Sequence, residues 1–189
     1  MSEARGSAIA TDRLFHYFFR PEELAKALDD ILANGLLPLS ARPDSERWKL
    51  IQQYRPGFYE LLYEQFARPV IDKPYSNSGV FLTPIDFRRL AGLSADADRM
   101  ATLPRLAVPL SAIDPATAAV GYVDLDDQPH PYPLSEDSLK QLAVEWPAER
   151  VTSLYGRDRS KMFYHVPQVA VYQEGGVRVK AEWLEQPQS

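Results

Sequence analysis

The sequence predicts an α+β fold, and three observations lead to that prediction. One amphipathic helix is clear in PEELAKALDDILANG, where Pro21 suits the first helical position and apolar side chains recur on one face. Several short runs are rich in aromatic and β-branched residues, which is typical of β-strands. The 16 prolines fall between these segments along the whole chain, so they punctuate elements rather than form a linker.

The chain has the length of one domain, and no second domain is apparent. It contains 189 residues, 45% of them hydrophobic, which is enough for a substantial core. There is no internal repeat and no low-complexity stretch. Residues 1–12 are small and polar, so we expect a flexible N-terminus there and a single domain over residues 13–189.

Composition and charge exclude several classes of function. The net charge of −5 leaves no broad basic surface of the kind that binds nucleic acid phosphates. Cysteine is absent and the three histidines are scattered, so we expect neither disulfides nor a metal site. No apolar run approaches the roughly 18–20 residues of a membrane span, and residues 1–12 lack a signal-peptide core. We expect a cytoplasmic protein, although cysteine-free chains are also common among secreted bacterial proteins.

The first half of the chain predicts one strand followed by helices. RLFHYFF, residues 13–19, is short and aromatic and indicates a buried strand that stops before Pro21. The helix that begins there ends at Asn34-Gly35, because glycine suits a left-handed cap. Residues 45–67 predict two helices broken at Arg55-Pro56-Gly57. Their many aromatic residues suggest that residues 40–78 cover a binding cleft.

The second half predicts mostly strands. GVFLTP reads as a short strand, and IDFRRLAG as a brief helix. Residues 106–113 and 119–125 read as strands, the first with Pro109, which suits an edge strand. QPHPYP is interpreted as a connector, and a helix begins near Ser135 and stops at Pro147. Two closing β-rich runs flank Gly175-Gly176, which indicates a hairpin.

Three of these segments, in this order, resemble the ADP-ribosyltransferase fold. RLFHYFF with the helix ending in LANGLLP is similar to the first motif, a strand carrying a ribose-binding histidine. GVFLTP is similar to the second motif, whose aromatic ring packs on nicotinamide. VPQVAVYQEGGVRVKAEWL resembles the last hairpin of the poly(ADP-ribose) polymerase and diphtheria-toxin branch, whose leading strand carries the catalytic glutamate. The resemblance implies split, mainly antiparallel sheets with flanking helices.

The resemblance assigns roles to residues of this chain, with two departures. His16 matches the histidine that holds the adenosine-side ribose of NAD, and Tyr17 beside it is a further candidate for cofactor contact. Phe81 stands where the branch usually has tyrosine, so it can stack but has no hydroxyl group. Gln168 stands at the position of the catalytic glutamate. Without the resemblance, the bland interpretation of His16, Tyr17 and Phe81 is that they are core residues.

The glutamine is a sensitive departure for chemical reasons. Cleavage of NAD develops positive charge on the nicotinamide ribose, and a carboxylate both stabilises that charge and binds a ribose hydroxyl. An amide keeps the hydrogen bond and loses the charge, which predicts weak or absent transfer unless another carboxylate substitutes. Glu174, close to the Gly-Gly turn, is the candidate, although it is equally a solvated turn residue.

Basic residues complete the candidate site. Arg13 and Arg42 are candidates for the NAD pyrophosphate, as are Arg88 and Arg89, because guanidinium groups grip phosphate oxygens in a fork. Each of them also has the plain interpretation of a solvated arginine. The basic cluster over residues 157–161 reads as a surface loop or as a contact for a phosphate-bearing target.

Three function classes follow from these expectations. The first is an enzyme that uses NAD as its substrate, without a metal, and transfers ADP-ribose to a protein or nucleic acid, in the manner of a bacterial toxin. The second is a catalytically degenerate module that binds NAD, ADP-ribose or another protein. The third is a structural α+β protein with an aromatic partner surface on residues 45–67.

Overall fold

Two antiparallel sheets organise the computed structural model, which describes residues 6–41, 46–54, 56–72, 79–155 and 165–187. The strands in chain order are β1 (Arg13–Tyr17), β2 (Val80–Leu82), β3 (Arg105–Pro109), β4 (Ala118–Val123), β5 (Pro129–Pro133), β6 (Gln168–Val171) and β7 (Leu184–Glu185). One sheet has the order β1-β3-β7 and the other the order β2-β6-β4-β5. With helices against both sheets, the predicted α+β class is confirmed.

The helices flank these sheets. They are α1 (Pro21–Asn34), α2 (Glu46–Tyr54), α3 (Phe58–Leu62), which continues as a π-helical turn over Tyr63–Ala67, α4 (Ala95–Ala101), α5 (Glu136–Glu145) and α6 (Ala148–Tyr155). The predicted helix at Pro21, the break between α2 and α3, and the Ser135 cap of α5 are all present. Helices α4 and α6 were not predicted. Among the described residues, no helix has the length and apolar character needed to cross a membrane.

The two sheets meet where β1 passes the end of β2. Phe15 and Thr83 exchange both backbone hydrogen bonds, with N···O distances of 2.8 and 2.9 Å. A large apolar core fills the space behind this junction and includes Leu14, Val80 and Val169, which are all nearly inaccessible to solvent. The junction therefore brings the end of the second predicted motif beside the strand of the first.

The interpretation of QPHPYP as a connector is wrong, because residues 129–133 form β5. This strand pairs antiparallel with β4, and Tyr132 lies opposite Val120. It occupies the edge of the sheet. Prolines occupy every second position of β5, and His130 and Tyr132 between them keep their N–H groups. An edge strand tolerates such prolines, because only one of its sides pairs with a neighbouring strand. Conversely, β3 with Pro109 lies in the middle of its sheet, and the proline is only its last residue.

The predicted C-terminal hairpin is also wrong. After the Gly175-Gly176 turn the chain does not pair with β6. Val177 instead exchanges backbone hydrogen bonds with Leu36 just after α1, and β7 joins β3 in the other sheet. Gly35 permits this crossing, because a Cβ atom there would lie 2.6 Å from the Val177 carbonyl oxygen. The segments that carry the first and third motifs are thus tied together.

The N-terminal residues differ from the prediction of a flexible segment over residues 1–12. Ala8, Ile9 and Ala10 are buried, with exposures of 0%, 2% and 4%. Ile9 forms a bridge with Ile85, and the N–H of Ala10 donates to the Pro84 carbonyl at 2.9 Å. The small side chains of this segment suggested a flexible tail. They instead allow it to pack closely against the chain after β2.

Candidate functional site

Phe81 and Gln168 lie on one face of the four-stranded sheet. The register of β2 and β6 sets Phe81 opposite Ala170, and paired residues of an antiparallel ladder share a face. Gln168 precedes Ala170 by two residues, and side chains two apart in a strand also share a face. The structure therefore brings together the two residues that the second and third motifs single out.

A stack of aromatic rings extends outward from Phe81. The Tyr59 ring of α3 lies 5.3 Å from the Phe81 ring, centroid to centroid, with 28° between their planes. The Trp48 ring of α2 stacks on the other side of Tyr59 at 5.7 Å and 24°. These separations are typical of offset stacking. A planar ligand that packs on Phe81 would take a position in this stack.

Helix α3 and its π-helical turn cover the rest of this face. Phe66 is 1% exposed and packs with Leu62 and Val123, while Phe81 contacts their edge. Tyr63 meets Tyr172 edge to face at 5.5 Å. Single π-helical turns occur frequently at functional sites, because they interrupt the regular hydrogen bonding of a helix. The predicted helical cover over residues 40–78 thus has its described helices on the face that carries Phe81 and Gln168.

Two glycines permit this aromatic packing. A Cβ atom on Gly79 would come within 3.1 Å of the Tyr172 ring and 3.2 Å of the Phe81 ring. A Cβ atom on Gly121 would lie 3.0 Å from the Phe66 ring, and Gly121 is the residue opposite Gln168 in the register. The glycine of the GVFLTP motif therefore has a local reason, which is close contact between its backbone and two rings.

Gln168 itself is largely shielded from water. It is 8% exposed, at the first position of β6, and the three residues that follow it are also buried. Electrostatic interactions are stronger in such an environment than in water, because little solvent screens them. A charge introduced at this position would consequently act strongly on a bound ligand.

His16 lies in the neighbouring sheet, next to the junction residue Phe15. Its side chain is half-buried, and its ring meets the Phe18 ring edge to face at 5.1 Å. Alternation along β1 sets His16 on the same side as Leu14, whereas Phe15 and Tyr17 face the opposite side. His16 sits opposite Leu106 of β3 in the register.

Tyr17 belongs to a buried polar network around Arg105. Its hydroxyl oxygen accepts hydrogen bonds from the Phe87 backbone N–H at 3.0 Å and from Arg105 Nη1 at 2.9 Å. The side chain is 5% exposed, and burial is the main cause that raises its pKa. The structure thus gives Tyr17 a role in joining β1 to β3 and to the segment after β2.

Arg105 holds this network together. Its Nη1 also donates to Asp86 and its Nε donates to Glu185 of β7, both at 2.7 Å, and its guanidinium lies 4.0 Å from the Phe15 ring centroid. Burial alone would lower the pKa of Arg105, but the hydrogen bonds to its partners outweigh it and raise the pKa. Arg105 was not predicted as a functional residue. Its only signal in the sequence is a charged residue at the start of an otherwise apolar strand.

The remaining candidate residues are spread over the molecule. Arg13 is exposed and pairs with Asp12 at 2.8 Å, and that hydrogen bond raises the pKa of Arg13. Glu174 is exposed in the turn between Gln173 and Gly176. Arg42 and the basic cluster over residues 157–161 lie outside the described residues.

Arg88 and Arg89 face the network around Arg105. Arg88 Nη1 donates to Glu185 at 3.2 Å, and Nη2 donates to the backbone carbonyls of Glu185 and Gln186. Arg89 pairs with Asp86 at 3.4 Å and is mostly exposed. The structure therefore uses Arg88 to hold the C-terminal segment.

The other two histidines form a separate polar region at the far end of β4. His130, in the segment interpreted from sequence as a connector, is half-buried on β5 and bonds Asp124 through Nε2 at 2.7 Å. Its ring stacks on Tyr122 at 4.8 Å. The hydrogen bond from His130 is the main cause that lowers the pKa of Asp124. His165 Nδ1 bonds the Val123 carbonyl at 2.9 Å.

Comparison of this chain with protein-family models, with curated protein sequences and with solved structures returns no match. The site must therefore be interpreted from its own residues.

Proposed function

We propose that this chain is an ADP-ribosyltransferase-like protein of the cytoplasm that binds NAD on the face formed by Phe81 and Gln168. The observation that carries the proposal is the shared face of these two residues under the aromatic cover of α2 and α3. An aromatic platform beside a buried amide suits a ligand with a planar base joined to a hydroxyl-rich sugar. The motif order along the chain supports NAD as that ligand.

In this proposal the residues divide the work of binding NAD. The Phe81 ring packs on nicotinamide, and the Gln168 amide hydrogen-bonds a hydroxyl of the nicotinamide ribose. His16, one residue beyond the sheet junction, binds the adenosine-side ribose. Tyr59 occupies the outer side of Phe81, so it must shift when the nicotinamide ring enters.

The transfer step needs a stabilised positive charge. The bond between the ribose C1′ atom and the nicotinamide nitrogen breaks, and nicotinamide leaves with the electron pair. A nucleophile of the protein or nucleic acid acceptor then bonds C1′ and releases its proton to solvent. Gln168 orients the ribose without supplying negative charge, so transfer is slow unless Glu174 provides the carboxylate.

A second function, binding of NAD or ADP-ribose without turnover, is favoured by a specific observation. Gln168 is 8% exposed and carries no charge, while Glu174 is exposed in its turn. Both arrangements favour ligand retention over stabilisation of an oxocarbenium ion. The two functions share one binding face and differ in nicotinamide release.

Calorimetric titration with NAD tests the shared binding face. The variant Phe81→Leu removes the stacking ring, and the control Phe19→Leu removes a ring that is 54% exposed just after β1. Stacking of a base on an aromatic side chain contributes about 1–3 kcal/mol, so we expect roughly fivefold to 150-fold weaker binding by Phe81→Leu and none of that loss in the control. Equal affinity in all three proteins, or no binding by the wild type, would refute the proposal.

Nicotinamide release distinguishes the two functions. Wild-type release that is lost in Glu174→Gln would make Glu174 the working carboxylate of an active transferase. NAD binding with no release by either protein would assign the chain to the binding class. Asp127→Asn is a suitable control, because Asp127 is another exposed carboxylate in a turn.

A further inference from the structure

The two sheets of the described residues end in four edge strands, and β5 is the edge strand with a long open side. Strands β1 and β2 meet each other at the junction of Phe15 and Thr83. Strand β7 has only two residues, whereas β5 has five. Within the described part of the chain, β5 pairs with β4 on one side and with no strand on the other. An open edge is a template for a further strand, including one from another copy of the chain.

The register of β4 and β5 determines which backbone groups of β5 point outward. Just beyond β4, the N–H of Asp124 donates to the Gln128 carbonyl at 2.9 Å, so these two residues form a hydrogen-bonded pair. Such pairs alternate with non-hydrogen-bonded pairs along an antiparallel ladder, so Tyr122 opposite His130 is the next hydrogen-bonded pair. The three prolines of β5 occupy the other positions, where the backbone groups are directed away from β4.

The outer edge of β5 therefore presents backbone acceptors and no backbone donors. Proline has no N–H group, so the outward groups are the carbonyl oxygens of Pro129, Pro131 and Pro133. The Ser138 hydroxyl donates to the Pro133 carbonyl at 2.7 Å, which is the kind of contact that this edge can make. An added strand must both donate and accept hydrogen bonds, so this edge would leave the acceptors of that strand without partners.

Two copies of β5 would meet acceptor to acceptor. Closed dimers of identical chains are commonly two-fold symmetric, so the strands would pair antiparallel with Pro131 opposite its own copy. Pro129 would then lie opposite the copy of Pro133. Each pair would bring two carbonyl oxygens together without an N–H between them, and burying those carbonyls without partners is costly.

We infer that β5 closes the four-stranded sheet against a second copy of this chain, and that Pro131 is the central block. The inference concerns self-association, so it does not depend on the binding face proposed for NAD. An N–H group restored at position 131 would let the two copies exchange two hydrogen bonds at the symmetry axis, one in each direction. A β-branched residue at that position also suits a strand.

Sedimentation velocity of Pro131→Val over a range of protein concentrations tests the inference on the full chain. The two restored hydrogen bonds should strengthen self-association by about tenfold or more over the wild type. The control is Pro115→Val, which adds the same apolar side chain at an exposed proline in the short 3₁₀-helix before β4. Self-association of Pro131→Val no stronger than that of the wild type or of Pro115→Val would overturn the inference.

Amide hydrogen exchange checks that the variant keeps the geometry of β5. The His130 N–H is directed to Tyr122 and should stay protected in Pro131→Val. The N–H created at position 131 should exchange fast in dilute protein and more slowly as the concentration rises. Protection of this N–H in dilute protein would overturn the outward orientation on which the inference rests. If His130 loses its protection, Pro129→Val at the end of the strand takes the place of Pro131→Val, and the same outcomes decide.

Discussion

Replacement of Gln168 by glutamate is the sharpest test of the chemistry proposed for β6. The two side chains are nearly isosteric, so the change adds one negative charge at a position that is 8% exposed. A preorganised group aimed at a developing charge in a shielded site contributes about two to three factors of ten in rate, or roughly 2.7–4 kcal/mol. We therefore expect Gln168→Glu to release nicotinamide from NAD about 100-fold to 1,000-fold faster than the wild type.

The same substitution should cost stability in a pH-dependent way. Burial raises the pKa of a carboxyl group above its usual value of about 4.3, so the native state retains a proton that the unfolded state has lost. The free energy of unfolding of Gln168→Glu should match that of the wild type best below about pH 4.3. It should fall as the pH rises from there through the raised pKa of the native state. Thermal unfolding at several pH values measures this loss.

The assay compares nicotinamide release by the wild type, Gln168→Glu and the control Gln141→Glu. Gln141 is exposed on α5 and bonds Glu145 at 2.9 Å, so its replacement adds the same charge far from β6. Faster release by Gln168→Glu alone is the expected result. A folded Gln168→Glu protein that binds NAD and cleaves it no faster than the wild type would refute the electrostatic reasoning.

Three further predictions concern the framework of the site. Gly121→Ala should lower the free energy of unfolding by about 1–3 kcal/mol, because its Cβ atom would lie 3.0 Å from the Phe66 ring, whereas a Cβ atom in the control Gly6→Ala meets open space. Chemical denaturation measures both variants, and equal free energies of unfolding would contradict the close packing at Gly121. Arg105→Met should cost about 1.5–3 kcal/mol by the same measurement, because it removes the shortest charged hydrogen bonds of Asp86 and Glu185, which keep only their longer pairs with Arg89 and Arg88; a loss under 1 kcal/mol would contradict the network. Burial and the Glu145 hydrogen bond raise the pKa of Tyr122 to about 12, so its stabilising contribution is complete below about pH 10 and is lost as the pH rises through about 12; absorbance titration of Tyr122→Phe should lack one tyrosine that ionises near pH 12 in the wild type.

Local signals predicted one class of element well. Helix α1 begins at Pro21 and ends at Gly35. Glycine adopts the positive φ of 83° found there without a steric penalty, so this boundary needs no support from distant residues. The break between α2 and α3 likewise follows from a proline and a glycine. These boundaries depend on backbone preferences that act over a few residues, so the sequence contains them directly.

Pairing between distant strands could not be predicted in the same way. The run after Gly176 has the alternation of a hairpin strand, yet Val177 bonds Leu36 and Glu185 joins β3. The choice of partner depends on Gly35, which allows a close approach that only the folded structure reveals. Similarly, the prolines of residues 129–133 indicated a connector, because the sequence does not show which side of a strand faces the sheet edge.

The candidate site was predicted in part. The period of β6 indicates that Gln168 and Ala170 share a face, but the register that sets Phe81 opposite Ala170 is a property of the fold. The buried partners of Tyr17 could not be foreseen, because Arg105 is 88 residues away along the chain. The interpretation of Tyr17 as an ordinary core residue, left open at the start, agrees with its buried hydroxyl.

The NAD site is tested by a crystal structure of the protein in complex with NAD. We expect the nicotinamide ring on Phe81, with Tyr59 displaced from its present 5.3 Å stacking distance, and a ribose hydroxyl within hydrogen-bonding distance of Gln168. We also expect the adenosine-side ribose at His16. NAD bound elsewhere on the protein, or bound with His16 and Gln168 both out of contact with it, would refute the proposed site.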